Sequence, residues 1–391
     1  MERATARRGC WREAKRPGGA APAIEVAHIR SPEVEQDKDK NMTFKRAIST
    51  IGAAGLVVAV AAGAASARDL TIVSWGGNYQ DAQKKIYFEP FAEKLGKPVL
   101  DESWDGGIGV IAAKVKAGQP NWDVVQVETE ELELGCTDGF YEKIDWEKLG
   151  GKDKFLSAGV HDCGVGAIVW STLVSYDGDK LKDAVPASWA DFWDTRKFPG
   201  KRGLRRGPKY SLEFALMADG VKPAEVYDVL RTPEGVDRAF KKLDEIKKDV
   251  VWWEAGAQPL QLLASGEVVM TSAYNGRITG INKTEGKNFK VVWPGSIYAI
   301  DSWVILRDSP NKDDAMDFIA FASAPENQSK LPEYVAYGLP QKEAAAAVPA
   351  DLAAELPTAE ANLTDAVALD GEFWVDNIEE LTSRFNAWLA Q

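Results

Sequence analysis

Between Leu70 and Val127 the apolar pattern switches period four times. Leu70–Val73 is a short continuous apolar run, the mark of a buried strand. Gln83 to Leu95 then places Ile86, Phe88, Phe91, Ala92 and Leu95 on one helical side, and Gly96-Lys97-Pro98 stops it. Val99–Leu100 begins a second strand. Ile108 to Ala117 is a second amphipathic helix, closed by Gly118 and Pro120, and "DVVQV" (Asp123–Val127) is a third strand. This β-α-β-α-β order predicts an α/β fold, because parallel strands need helical crossovers that cover the sheet.

The same alternation returns further on. "GAIVWSTLVSYD" (Gly166–Asp177) is a long β-branched run, and "PASWADFWD" follows with Ser188 as a helix cap. A crossing between two lobes is expected close to Ser175–Gly178. Beyond it, "RGLRRG" reads as a strand, and Leu212–Ala218 and Pro233–Lys248 as helices. "PLQLLASG" reads as a short helix, "EVVMTSAYNG" as a strand, and "FKVVWP" as a strand stopped by Pro294. "SWVILR" (Ser302–Arg307) is a strand returning to the first lobe. Asp313–Ser323, Glu326–Val335 and Glu372–Leu389 read as helices, and residues 343–365 are helix-prone.

The first 67 residues lie outside this pattern. Met42 is followed by Lys45 and Arg46, by a small apolar run from Ile48 to Gly63, and by Ala65-Ser66-Ala67. That sequence of features is a secretory signal peptide with cleavage after Ala67, which predicts a periplasmic protein. Residues 1–41 lack apolar periodicity and read as a non-native or disordered extension. Of the chain's 47 basic and 59 acidic residues, 11 and 7 fall in residues 1–67, leaving 36 against 52, or −16. So acidic a chain argues against nucleic acid and anionic membranes as partners.

After Ala67 there is one histidine, His161, and there are two cysteines, Cys136 and Cys163. One histidine leaves no multi-histidine metal site, and no nucleophile motif accompanies it. No catalytic residue, metal or cofactor is expected. "WDGGIG" (Trp104–Gly109) lacks both a full dinucleotide fingerprint and a phosphate-loop lysine. The even cysteine pair predicts a disulfide in an oxidising compartment.

In open α/β sheets ligands bind beyond the carboxyl ends of strands. Those positions hold Trp75 with Asn78, then Glu128-Thr129-Glu130, then Lys209-Tyr210 with Glu213, then Tyr274, and then Tyr298 and Asp301. Aromatic faces and carboxylates together suit an organic ammonium, held by cation–π attraction and charge-assisted hydrogen bonds. Arg205 and Arg206, just before the Tyr210 position, could instead hold a carboxylate in two-point fashion.

In "TIVSWGGNYQDA", "WDVVQVETEELELG", "LLASGEVVMTSAYNG", "VVWPGSIYAIDSWVI" and "VAYGLPQ", the chain resembles the spermidine/putrescine-binding family of ABC importers. The resemblance covers essentially all of residues 68–391. It implies the two-lobed periplasmic-binding-protein fold, type II, with a hinged cleft. Lobe one would be 68–175 and 298–345, and lobe two 176–297 and 346–391. Carried over position by position, the family's ligand contacts fall on Trp75, Glu128, Glu213, Tyr274, Asp301, Tyr337 and Trp374, with Tyr298 substituting for a lost Trp. The implied partners are a small amine ligand and a membrane permease, for a monomer. The first reading is therefore capture of a putrescine- or spermidine-like cation. The alternative is the same scaffold with a zwitterionic ω-amino acid or betaine, and an exported enzyme ranks below both.

Overall fold

The computed structural model describes residues 68–391 apart from Gln119. The expected signal peptide and the extension before it lie outside the described residues. Among the described residues, nine strands join in one sheet. They are β1 (Leu70–Ser74), β2 (Val99–Ser103), β3 (Val124–Val127), β4 (Val165–Asp177), β5 (Arg202–Arg205), β6 (Val250–Trp253), β7 (Met270–Tyr274), β8 (Phe289–Ile305) and β9 (Val367–Ala368). Their order is β2-β1-β3-β8-β4-β7-β5-β6, with β9 on the edge of β8.

Two parallel βαβ halves flank a central antiparallel pair. In one half β1 runs parallel to both β2 and β3. In the other β5 runs parallel to both β6 and β7. The long strands β4 and β8 run antiparallel between them and pair from Val165↔Trp303 to Asp177↔Phe289. Strands buried on both faces need continuous apolar runs, and β1, β3 and most of β4 are buried throughout. The disulfide joins Cys136 to Cys163, as the cysteine pair predicts.

Four local expectations need correction. Pro294 does not end a strand: β8 runs through it for 17 residues. Between Thr172 and Val174 the pairing on β8 jumps from Ile297 to Val292, so Pro294 sits in a bulge that requires no amide donor. Gly295 beside it has φ 74°, and a Cβ there would lie 2.9 Å from Trp189. The first helix begins at Gly77, six residues before the expected Gln83, so Asn78 lies inside it; the cap position is Gly76, with no side-chain cap. Gln80 Oε1 accepts from the Gly76 amide at 2.9 Å. Beyond the helix Lys312–Ser323, only the short helix Pro325–Gln328 and one turn at Leu331–Glu333 stand where Glu326–Val335 read as a helix, and Pro332 lacks the amide that would continue the ladder. Finally, β6 was not foreseen, although Val250-Val251-Trp252-Trp253 has strand composition.

Candidate functional site

The carboxyl ends of β1 and β7 and the middle of β8 converge on one cavity. It spans about 440 Å³ of empty space, a figure that includes open solvent at its mouth. β1 delivers Trp75, which stacks on Trp104 with centroids 5.2 Å apart and planes 18° from parallel. Trp104 is fixed in turn by its indole N–H, which donates to the Gln126 carbonyl at 3.1 Å. β7 delivers Tyr274, set edge-on to Trp170 of β4 at 5.1 Å. Tyr337 meets Tyr79 edge to face at 5.2 Å. All six of these aromatics line the cavity.

Two ionisable groups enter that aromatic wall without an opposite charge at hand. Asp301 on β8 is 3% exposed. Its Oδ1 accepts from the Trp170 indole at 2.5 Å and its Oδ2 from the Gln126 amide at 3.2 Å. Both donors are neutral, and no cation lies within ion-pair distance among the described residues. Burial, then the Glu128 charge, pushes the Asp301 carboxyl well above the usual carboxylate range. Arg277, three residues beyond Tyr274, is also 3% exposed. It donates to the carbonyls of Gly76 at 3.0 Å and Trp75 at 2.7 Å. Its Nε–H has no partner, and no carboxylate pairs with it among the described residues. A Cβ at Gly256 would lie 2.9 Å from that Nε, so only glycine leaves room for the guanidinium there.

The remaining charges are already paired. Arg205 pairs with Glu128 at 2.9 Å. Lys209 bridges Glu128 and Glu130, and the Tyr210 hydroxyl donates to Glu128 at 2.8 Å. Burial raises the Glu128 carboxyl, but Lys209 and Arg205 outweigh it and hold it down at about 2. These contacts also tie the helix after β3 to the segment after β5, one from each half of the sheet. Next to them, Glu131 closes the turn by accepting from the Gly107 and Glu128 amides. Burial, with Glu130 and Glu128 nearby, raises Glu131 to about 7.

Of the residues singled out in the sequence, Trp75, Glu128, Arg205, Tyr274, Asp301 and Tyr337 line the cavity. The others lie elsewhere. Asn78 donates to the Arg277 carbonyl at 3.2 Å and so steadies the arginine from behind. Tyr210 is buried against Trp170, with φ 72°. Glu213 is fully buried and accepts from the Tyr227 hydroxyl and the Trp374 indole, both at 2.9 Å, so Trp374 anchors the C-terminal helix Gly371–Leu389. Burial raises Glu213 to about 7. Tyr298 sits on β8 opposite Ser171 and Ala368. Arg206 is exposed and pairs with Glu254 at 2.9 Å.

Sequence reasoning missed Arg277, Trp170 and Gln126. Arg277 was within reach, directly after the "AYNG" that marks the end of β7. Gln126 is a polar residue inside the buried run Val124–Val127, and a buried amide implies a hydrogen-bond task. Its Oε1 accepts from Ser74 at 3.2 Å and from Tyr79 and Gln83 at 2.9 Å each, which turns its amide toward Asp301.

Residues 97–361 match the family model for bacterial extracellular solute-binding proteins. A γ-aminobutyric acid-binding protein of Pseudomonas aeruginosa is 48% identical over 89% of this chain and 98% of its own length. The solved structure of the Atu4243-GABA receptor is 36% identical, with a TM-score of 0.72, covering 83% of this chain and 98% of that one. The Escherichia coli spermidine/putrescine-binding periplasmic protein is 23% identical, over 64% of this chain and 73% of its own. The resemblance to the polyamine binders is thus a distant one, and polyamine specificity does not follow from it. The sheet order, the paired halves and these neighbours agree on the two-lobed type II fold. No helix among the described residues is long and apolar enough to cross a membrane. The chain belongs to the bacterial extracellular solute-binding proteins, and it is the periplasmic component of an ABC importer that binds a small ligand and delivers it to the membrane permease.

Proposed function

We propose that the ligand is a short ω-amino acid of the γ-aminobutyrate class. One observation carries this reading. A buried carboxyl without a cation, Asp301, and a buried guanidinium without an anion, Arg277, line the same aromatic cavity and do not pair with each other. A molecule with an ammonium at one end and a carboxylate at the other satisfies both. Asp301 takes the ammonium, Arg277 takes the carboxylate with Arg205 beside it, and Trp75, Tyr274 and Tyr337 cover the methylenes. A diamine would set its second ammonium against a guanidinium. Nor is Glu128 available as its anchor, since Lys209 and Arg205 already neutralise it. The names of the 48%-identical relative and of the GABA receptor structure support the same ligand class. In this reading the lobes are 68–175 with 298–345, and 176–297 with 346–391, closing about β4 and β8.

Calorimetric titration with γ-aminobutyrate, 5-aminovalerate, glycine betaine, putrescine and spermidine tests the assignment. The two ω-amino acids are expected to bind and the diamine and triamine to fail. Tight putrescine binding without γ-aminobutyrate binding would overturn it.

A further inference from the structure

We propose that Asp301 exchanges a proton for the ammonium group of the ligand, so that capture releases a proton. The inference rests on the ω-amino-acid reading above. A carboxylate in a buried site is stable only with a counter-charge or with several strong donors. Asp301 receives the Trp170 indole N–H and the Gln126 amide N–H, with the Trp75 indole N–H beside them, and all of these donors are neutral. The three donors on Gln126 Oε1 lock that amide in place and prevent a charged group from standing there. The charge that stabilises ionised Asp301 must therefore arrive with the ligand.

The other groups facing this carboxyl point the same way. Glu128 from the end of β3 and Glu131 from the following helix are acids and favour its neutral form. Tyr79 from the first helix and Tyr337 opposite it are neutral phenols. Neither cation that shares the cavity pairs with Asp301: Arg205 pairs with Glu128, and Arg277 donates to the carbonyls of Gly76 and Trp75 and stays free for the ligand's carboxylate. The exchange balances simply. A carboxylic acid and an ammonium ion become a carboxylate–ammonium pair, and one proton goes to the buffer. No covalent bond of the ligand changes, and both ligand charges stay constant between pH 6 and 8.

Titration of the processed protein with γ-aminobutyrate at pH 6 and pH 7.5, in buffers of different ionisation enthalpy, reads the proton directly. The expected result at pH 6 is release of about one proton per ligand, with Kd falling up to about tenfold per pH unit while Asp301 is protonated before binding. Binding whose enthalpy is the same in every buffer would overturn the exchange and leave the ligand assignment standing. Failure of γ-aminobutyrate to bind at either pH, with putrescine binding instead, would overturn both. Glu131 titrates nearby, so Glu131→Gln is the control. It is expected to keep the proton release, and loss of the release in that variant would assign the proton to Glu131 and refute the inference.

Discussion

Arg277→Gln separates a zwitterion site from an amine site. In the wild type the guanidinium holds two carbonyls at 2.7 and 3.0 Å, and its Nε–H has no partner. A hydrogen bond to a charged group contributes about 1.5–3 kcal/mol. Its loss corresponds to about 10- to 150-fold in Kd, at 1.4 kcal/mol per tenfold. The same substitution weakens the tie to Trp75 and Gly76, so some affinity for any ligand will fall with it. The comparison is therefore made between γ-aminobutyrate and n-butylamine, which has the same ammonium and chain but no carboxylate. Titrating both ligands against both proteins forms a cycle in which the general loss cancels. The expected outcome is a drop for γ-aminobutyrate at least tenfold larger than for butylamine. Equal losses for the two ligands would refute the carboxylate role and leave Arg277 as a brace between the ends of β1 and β7.

Three further outcomes follow from other contacts. Trp75→Ala uncovers one side of the ligand's methylenes, and Kd is expected to rise by roughly 4- to 15-fold, at about 0.8 kcal/mol for each of one or two methylenes left exposed; unchanged calorimetric affinity would make Trp75 a packing residue only. Its melting temperature should fall little, because Trp75 is half-buried and Trp104 stays held by Gln126. Reducing the Cys136–Cys163 disulfide, which closes a loop of 27 residues, should lower unfolding free energy by about 3 kcal/mol in urea titrations; a change below about 1 kcal/mol would show that the reduced chain is restrained by other means. Glu213 is raised to about 7 by burial, so the folded state holds this proton more tightly than the unfolded chain does, and its contribution to stability falls as pH rises from about 4.5 through 7. Glu213→Gln should flatten that fall in thermal melts, and an unaltered pH profile would refute the titration.

Much of the architecture is legible locally. The switch from continuous apolar runs to period-3.6 patterning between Leu70 and Val127 depends only on neighbours along the chain, and the structure returns β1, β2, β3 and the helices between them, the first of these starting six residues before the expected Gln83. The strand-end rule found Trp75 and Tyr274 for the same reason, since a strand end is a one-dimensional property; Asp301, expected just before the returning strand, lies inside β8, and the family position is what singled it out. The strand-end rule also named Glu213, and family position named Trp374, but their burial against each other shows them holding the C-terminal helix. Arg205 and Arg206 are adjacent and chemically identical, yet one lines the cavity beside Glu128 and the other pairs with Glu254 at the surface. Alternating side-chain direction at the end of β5 separates them, and sequence spacing cannot say which face is the inner one.

Sequence alone determined the α/β class, the disulfide partners and the aromatic character of the strand ends, because each is written in composition and short-range period. Tertiary structure decided which charges are left without a partner. Glu128 looked like an anchor for an amine until Lys209 and Arg205, about 80 residues away, were seen to neutralise it. Asp301 and Arg277 carry the ligand assignment because of what does not reach them. Long-range packing sets those pairings, and the free energy of a buried charge depends on its neighbours in space.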